Sequence, residues 1–138
     1  MGTTINEGQF NAQDGIYRLV IYTNPNCIKA QEAIPINKLL AEALIKLRPR
    51  QRTIQLESCL QRIVSKLPVD CAIKDFDVMF NPEYKIDVIK ILIELNKRHP
   101  LSVIWPGKCA NNCLIYSEEQ FADYKVYQIN DYDILCVL

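Results

Sequence analysis

The sequence has no net charge and very little glycine or histidine. It contains 16 lysines and arginines, 16 aspartates and glutamates, 4 glycines and 1 histidine among 138 residues. A neutral chain produces no global field that would draw it to nucleic acid or to a membrane, so any such affinity must be local. No Ser–His–Asp or Cys–His pattern of a nucleophilic enzyme is recognisable either.

Signals for export or membrane insertion are also missing. The first ten residues, MGTTINEGQF, lack the basic region and apolar core of a signal peptide. The longest apolar stretches are too short to span a bilayer. We therefore expect a cytoplasmic protein that does not associate with membranes. The length, together with 49% apolar and 23% charged residues, predicts a single globular domain over residues 1–138.

The segment YRLVIYTNPNCIKAQEAI, residues 17–34, organises the rest of the chain. Five of its first six residues are apolar, β-branched or aromatic, namely Tyr17, Leu19, Val20, Ile21 and Tyr22, which predicts a buried strand. Turn-forming residues follow at positions 23–26, and residues 27–33 can be helical. A strand, a tight loop and a helix form the opening unit of a nucleotide-binding α/β domain. The candidate ligand-binding residues in this unit are Asn24, Asn26, Lys29 and Ala30.

A phosphate-binding P-loop would read G-x-x-x-x-G-K-[ST] at this place. Aligned on Lys29, the chain has Thr23, Ile28 and Ala30 where the two glycines and the hydroxyl residue should stand. The pattern therefore predicts a loop in the position of a P-loop without its chemistry. Lys29 is either a phosphate ligand or a solvated residue in the first turn of a helix.

The remaining elements alternate between strands and helices. Helices are predicted at residues 36–47, 53–67 (with Thr53 as its N-cap) and 85–98, and strands at residues 69–80, 101–105, 113–116, 126–129 and 133–138. This alternation predicts an α/β fold with a mostly parallel sheet flanked by helices. The last two strands are close enough to pair antiparallel at one edge. Residues 36–39 can alternatively form an edge strand, and residues 108–112 are predicted to be a loop.

Two acidic residues, Asp75 and Asp77, interrupt the strand predicted at residues 69–80. In nucleotide-hydrolysing folds, an acidic residue at the end of a buried strand holds the Mg²⁺ and its water shell. Asp75 and Asp77 are therefore the candidate catalytic residues. The alternative is that both simply lie in the loop that leaves the strand, where aspartate is common.

The densest basic cluster consists of Arg48, Arg50 and Arg52, preceded by Lys46. Pro49 lies within it and predicts a loop, because proline prevents a continuous helix. Such a cluster can bind the backbone of a nucleic acid. A solvated loop is the alternative, and the short length of the cluster favours it.

The cysteines offer a weak metal motif. Cys109 and Cys113, with His99 nearby, have a spacing that zinc sites use, but a structural zinc site needs four ligands. A loop with two free thiols is the favoured interpretation. The other four cysteines lie within apolar patterns, where a thiol behaves as a small hydrophobic group. These four residues, predicted to lie in the core, are Cys27, Cys59, Cys71 and Cys136.

Aromatic residues are concentrated in the last third of the chain. They are Trp105, Tyr116, Tyr124, Tyr127 and Tyr132. Such residues either form a surface for a partner, since aromatic side chains concentrate binding energy, or pack in the core. Packing is the favoured interpretation for most of them.

Four stretches of the chain resemble the BrxF family, the small P-loop-type proteins of type 3 BREX (bacteriophage exclusion) defence systems. The stretches are YRLVIYT, KDFDVMFNPEYKIDVIKIL, SVIWPG and LIYSEEQFADYKVYQI. In the family they correspond to the strand before the Walker A loop, the Walker B strand with its helix, a strand ending in a Trp-x-Gly turn, and a tyrosine-rich tail. The resemblance implies a P-loop NTPase-like three-layer sandwich. It also implies that Lys29 contacts phosphate, that Asp75 is the Mg²⁺-linked acid, and that Asp77 lies near a second acidic position.

The resemblance and the altered loop together predict an accessory component of a bacterial defence system. It would act mainly as a binding or assembly module, with other defence-system proteins as partners and no firmly assigned cofactor. The first alternative is an ATPase that uses ATP and Mg²⁺ despite its unusual loop. The second is a DNA-binding subunit that uses Arg48, Arg50 and Arg52. A homo-oligomer is compatible with each of these functions.

Overall fold

A computed structural model describes residues 2–10 and 18–138 as an α/β protein with two sheets. The strands are β1 Thr3–Ile5, β2 Leu19–Tyr22, β3 Ile34–Pro35, β4 Cys71–Lys74, β5 Leu101–Ile104, β6 Lys108–Ala110, β7 Cys113–Tyr116, β8 Lys125–Gln128 and β9 Ile134–Val137. The helices are α1 Ile28–Glu32, α2 Asn37–Ile45, α3 Pro49–Val64 and α4 Val88–Arg98. Short 3₁₀ helices are formed by Glu7–Gln9, Asp77–Phe80 and Ile129–Asp131.

The main sheet has six strands in the order β1-β9-β2-β5-β4-β3, and its pairings are parallel. The chain runs from β2 to the edge strand β3, and then returns through β4 and β5 to β9. Because crossovers between parallel strands are right-handed, movement in opposite directions along the sheet places the connections on opposite faces. Helix α1 therefore covers one face, while α2, α3 and α4 cover the other.

The face that carries α2, α3 and α4 holds the larger core. Alternate strand residues point to it, among them Ile21 of β2 and Ile73 of β4. They pack with Leu40 of α2, Leu60 of α3 and Leu92 of α4, all fully buried. Each such side chain stabilises the fold by about 1.5–3 kcal/mol through burial.

The opposite face holds a smaller core beneath α1. Val20, Ala72 and Ile104 of three neighbouring strands pack there against Ala30 of α1 and Ala33, which follows the helix. The small side chains of these alanines let the short helix lie close to the sheet. The α/β class, the mostly parallel sheet and the flanking helices predicted from the sequence are thus confirmed.

The pairing predicted for the last two strands is wrong. β8 pairs with β7, within a small antiparallel sheet of order β6-β7-β8, whereas β9 lies between β1 and β2 in the main sheet. The side-chain patterns explain the difference. β9 is apolar and buried at every position, as a central parallel strand must be. β8 alternates, with Tyr127 buried between two exposed neighbours, which suits a sheet with one buried face.

The strand predicted at residues 69–80 is correct only in its first half. β4 ends at Lys74, Asp75 has a positive φ of 53°, and Asp77–Phe80 form a 3₁₀ helix. Phe76, Met79 and Phe80 are buried from this segment. Their spacing of three and four residues is helical, which the strand interpretation missed.

The loop predicted around Pro49 is also wrong. Pro49 is the first residue of α3, where proline is favoured because its missing N–H needs no partner. Arg50 and Arg52 therefore lie in the first turn of a helix, and Thr53 is inside the helix rather than its N-cap.

Smaller differences concern the ends of other elements. Residues 108–110, predicted to be a loop, form β6, and the edge strand suggested at residues 36–39 lies instead at Ile34–Pro35. Asp87 is the N-cap of α4 and accepts a hydrogen bond from the Lys90 N–H at 3.1 Å, so the helix begins three residues later than predicted. Tyr17, predicted to begin the first strand, lies outside the described residues.

Candidate functional site

A cavity of about 220 Å³ opens at the carboxyl edge of the main sheet. It is lined by Pro25 after β2, Ala30 of α1, Lys74 and Asp75 at the end of β4, and Ile104, Trp105 and Pro106 at the end of β5. Two of the predicted site residues, Ala30 and Asp75, belong to this lining. Pro25, Lys74, Ile104 and Pro106 were not predicted, and Trp105 was considered only as part of a partner surface. The available signal was that each lies at the carboxyl end of a strand, where the loops of an α/β sheet converge.

The topology of the sheet accounts for the position of the cavity. β2 leads into α1 on one face of the sheet, whereas its neighbour β5 leads into β6 and the small sheet on the other face. Connections that leave adjacent strands in opposite directions open a crevice at the carboxyl ends, and ligands of α/β proteins bind in such crevices. The cavity therefore lies where this fold class places its ligand sites.

Three backbone N–H groups of the loop after β2 are bound within the protein. The Thr23 N–H donates to the Val137 carbonyl oxygen at 2.9 Å, and the Cys27 N–H donates to the Asn24 carbonyl oxygen at 3.3 Å. The Asn26 N–H donates to Asn24 Oδ1 at 2.9 Å, which closes an Asx turn. Pro25 has no N–H. A phosphate-binding nest needs free N–H groups that point to one place, and these three groups are already bound.

Lys29 is the second residue of α1 and is partly buried, but it does not line the cavity. Its charge acts on the first residue of β4, Cys71. Burial raises the pKa of the Cys71 thiol, and the positive charge of Lys29 opposes that rise. Asn24 and Asn26 also lie outside the cavity lining.

Asp75 is exposed and lines the cavity directly after β4. Its φ of 53° lies in the left-handed region, which aspartate tolerates better than most residues. The preceding residue is fixed, because the Lys74 carbonyl oxygen accepts a hydrogen bond from the Ile36 N–H at 3.1 Å. Residues in sparsely populated backbone regions cluster at functional sites. Of the two predicted acids, Asp75 has the geometry of a ligand-facing residue.

Asp77 holds three parts of the protein together instead. Tyr116 of β7 donates its hydroxyl to Asp77 Oδ2 at 2.9 Å, and Asn37 of α2 donates its amide to Asp77 Oδ1 at 3.4 Å. The Asn37 side chain also accepts a hydrogen bond from the Val78 N–H at 2.9 Å. Burial and the Asp77 carboxylate both raise the pKa of Tyr116 well above its ordinary value. We name this set of residues the Asp77 network: Asn37, Asp77, Val78 and Tyr116.

Most of the aromatic residues near the chain's end pack inside the protein. Trp105 is 2% exposed, and its indole Nε1 donates to the Ile115 carbonyl oxygen at 3.0 Å. Its ring meets Phe80 edge-on at 5.7 Å and Tyr127 edge-on at 6.1 Å. Tyr132 is partly buried and donates its hydroxyl to Asp87 Oδ2 at 2.7 Å. These contacts place the small sheet against the 3₁₀ helix Asp77–Phe80 and the start of α4.

The three arginines near the start of α3 have different surroundings. Arg52 Nε donates to the carbonyl oxygens of Leu44 at 3.1 Å and Leu47 at 3.2 Å, so it caps the carboxyl end of α2. The side chains of Arg48 and Arg50 are exposed and form no hydrogen bond or ion pair with another described residue. Of these three arginines, Arg48 and Arg50 are therefore the two whose guanidinium groups are free for an external partner.

The cysteines form no metal site in the part of the chain that the structure describes, where no three metal-ligating side chains come together. Cys109 lies opposite Leu114 and Cys113 opposite Ala110 in the β6–β7 hairpin, so the two thiols point to opposite faces. The cysteines are free thiols. Cys27, Cys59 and Cys136 are buried as predicted, and burial raises the pKa of Cys136 to about 12. Cys71 is only partly buried.

The structure also bears on the expected absence of membrane association. Within residues 2–10 and 18–138, no helix has the length and hydropathy that crossing a bilayer requires.

Comparison with protein-family models, curated proteins and solved structures finds no match to the chain. Function must therefore be inferred from the sheet, the cavity and the loop after β2.

Proposed function

We propose that the chain is a P-loop-type protein that binds partners in a bacterial defence system without turning over nucleotide. The proposal joins the resemblance to the BrxF family with the geometry around β2. In this view the P-loop fold is retained as a scaffold, and its surfaces, rather than a hydrolytic site, provide the activity.

The arrangement of the sheet supports the P-loop type. The strand–loop–helix unit β2-α1 starts from an interior strand and opens onto the crevice at the carboxyl edge, as phosphate-binding loops do. Asp75 follows β4 and faces the same cavity, which is the position that the resemblance gives to the Mg²⁺-linked acid. The architecture thus supports a common origin with nucleotide-binding proteins.

The hydrogen bonds of the loop after β2 support the second part of the proposal, that the chain does not turn over nucleotide. P-loops bind phosphate mainly through backbone N–H groups, with the lysine adding charge. Here the N–H groups of Thr23, Asn26 and Cys27 are bound internally. Ala30 lacks the hydroxyl that ligates Mg²⁺, and Lys29 lies outside the cavity lining. Phosphate could bind to these three N–H groups only by displacing their internal partners, including the Asx turn.

The cavity volume also supports the absence of nucleotide turnover. Small-molecule sites measure roughly 300–1,000 Å³, whereas this cavity measures about 220 Å³. The cavity as it stands is therefore smaller than a typical small-molecule site. An active ATPase, the alternative function, would need both a larger cavity and a rearranged loop.

Thermal unfolding with and without Mg-ATP tests the proposal. A ligand that binds only the folded state at a hundred times its Kd stabilises it by about 2.7 kcal/mol and raises Tm. We expect no rise in Tm for the wild type or for Lys29→Ala. The matched control is Lys38→Ala, which removes an exposed lysine from the first turn of α2. A rise in Tm that persists in Lys38→Ala but disappears in Lys29→Ala would contradict the proposal and establish a nucleotide site.

The defence role has a separate test in cells that carry the complete system. Removing the chain should abolish protection against phage, because an assembly component is required whether or not it binds ATP. Lys29→Ala should keep the protection. If removing the chain changes nothing, the defence role is wrong, and if Lys29→Ala also abolishes protection, nucleotide turnover is restored as the function.

A further inference from the structure

The chain has no net charge, but some of its basic and acidic residues are concentrated in different segments. Residues 45–54, named here the basic tip, contain Lys46, Arg48, Arg50 and Arg52 and no acidic residue. Residues 117–124, named here the acidic loop, contain Glu118, Glu119 and Asp123 and no basic residue. The basic tip joins α2 to α3, and the acidic loop joins β7 to β8.

The two segments are associated with opposite ends of α2. Asn37 begins α2 against Asp77, and Tyr116, which also contacts Asp77, immediately precedes the acidic loop. The acidic loop is therefore at the same end as the start of α2. From there α2 runs for nine residues, about 13 Å at 1.5 Å per residue, before it reaches the basic tip. The length of α2 thus separates the two segments of one molecule, and no ion pair among the described residues joins them.

Both segments also expose large apolar side chains. Ile45 is 73% exposed and Ile54 is 75% exposed on the basic tip, and Phe121 is 56% exposed on the acidic loop. Arg50 and Ile54 are four residues apart in α3, so they share one face of the helix. Apolar groups beside unpaired charges are typical of a surface that a protein covers.

We propose that the basic tip binds the acidic loop of a second copy of this chain, so that the molecules associate head to tail. Arg48 and Arg50 face Glu118 and Glu119 across the contact, and Ile54 packs with Phe121. A contact between two different surfaces is heterologous, so it leaves one tip and one loop open at the ends of each assembly. Repetition of the contact builds longer assemblies or a ring.

A second copy fits these surfaces better than a nucleic acid does. A phosphate backbone would pair with Arg48 and Arg50 but would leave Ile45 and Ile54 exposed. It would also leave the acidic loop with no role. The second copy supplies both the opposite charge and an apolar side chain. The contact does not involve the loop after β2, so it is independent of the proposed function.

The first experiment measures association by sedimentation velocity over a range of concentrations at low and high salt. We expect concentration-dependent assembly of the wild type that salt weakens, because the contact depends on exposed charges. Arg48→Glu with Arg50→Glu should weaken it at least about tenfold, since like charges then oppose each other. This variant should fold, because acidic residues are favourable in the first turn of α3. The control is Lys85→Glu with Lys90→Glu, which makes the same charge change at two exposed lysines and should associate like the wild type.

The second experiment mixes complementary variants. Glu118→Arg with Glu119→Arg reverses the charge of the acidic loop, and this variant should also fail to assemble on its own. Mixed with Arg48→Glu/Arg50→Glu, it should form a 1:1 complex, because one intact tip and one intact loop remain. Ile54→Ser should weaken wild-type association without changing the charge.

Each contrary result would overturn the proposal. A wild type that stays monomeric at low salt excludes the contact. If assembly persists in both charge-reversal variants, the contact lies elsewhere on the surface. Two monomeric variants that remain monomeric when mixed exclude head-to-tail geometry. Binding of a duplex DNA probe that requires Arg48 and Arg50, without self-association, would assign the basic tip to nucleic acid instead.

Discussion

Asp75 and Asp77 are two residues apart and look equivalent in the sequence, yet they belong to two different regions. Asp75 is exposed at the rim of the cavity, with a left-handed backbone and no partner among the described residues. Asp77 accepts hydrogen bonds from Tyr116 and Asn37 and ties the small sheet to α2. Both aspartates are exposed, so what separates them is their partners: Asp77 joins two elements of the fold, whereas Asp75 joins none in the described part of the chain.

The largest effect in this comparison should come from Phe80, whose ring packs against Tyr116 of the Asp77 network. The Phe80 ring stacks on Tyr116 at 3.8 Å with an interplanar angle of 7° and meets Trp105 edge-on. Phe80→Ala should lower the free energy of unfolding by about 3–5 kcal/mol, because it leaves a cavity in the core. Val69→Ala, at an exposed valine outside the proposed contact, should change it by less than about 0.5 kcal/mol. Urea denaturation measures both, and equal losses would show that the stack does not support this region.

A smaller effect should separate the two aspartates directly. Asp77→Asn leaves one oxygen where two donors now bind a carboxylate, so we expect a loss of about 1–2 kcal/mol. Asp75→Asn keeps a residue that tolerates positive φ and should stay within about 0.5 kcal/mol of the wild type. The comparison of the two regions fails if Asp75→Asn is the more destabilising change in urea denaturation.

The smallest effect concerns alkaline pH. Burial and the Asp77 carboxylate raise the pKa of Tyr116 above its ordinary value of 10.0. In the unfolded chain the phenol loses its proton near the ordinary value, whereas the folded protein keeps it to higher pH. The stabilisation is therefore complete below pH 10.0 and is lost as the pH rises above it.

Tyr116→Phe isolates this contribution, because the variant has one fewer group whose pKa the fold raises. Its urea midpoint should fall less steeply with alkaline pH than that of the wild type. Tyr124→Phe serves as the control and should keep the wild-type slope. A Tyr116→Phe slope equal to that of the wild type would mean that the phenol is not held by the Asp77 network.

Several local features were predictable from the sequence because they depend on neighbouring residues. The apolar run of β2, the turn at residues 23–26 and the periodicity of α3 and α4 each follow from side chains within one element. The same patterns contained two signals that were interpreted wrongly. The uniformly apolar residues of β9 indicate a central parallel strand, and the helical spacing of Phe76, Met79 and Phe80 indicates the 3₁₀ helix.

The sequence by itself determined an α/β fold with a strand, a turn and a helix near its N-terminus, because composition and periodicity are local properties. Only the tertiary structure decided that Asp77 binds Tyr116, that Arg52 caps α2, and that the cavity is lined by three strand ends. These contacts join residues up to about 80 positions apart, and their partners are chosen by the strand order and the right-handed crossovers. Nothing in the local pattern of either partner specifies the other, so the division of roles between neighbouring residues appears only when the sheet is assembled.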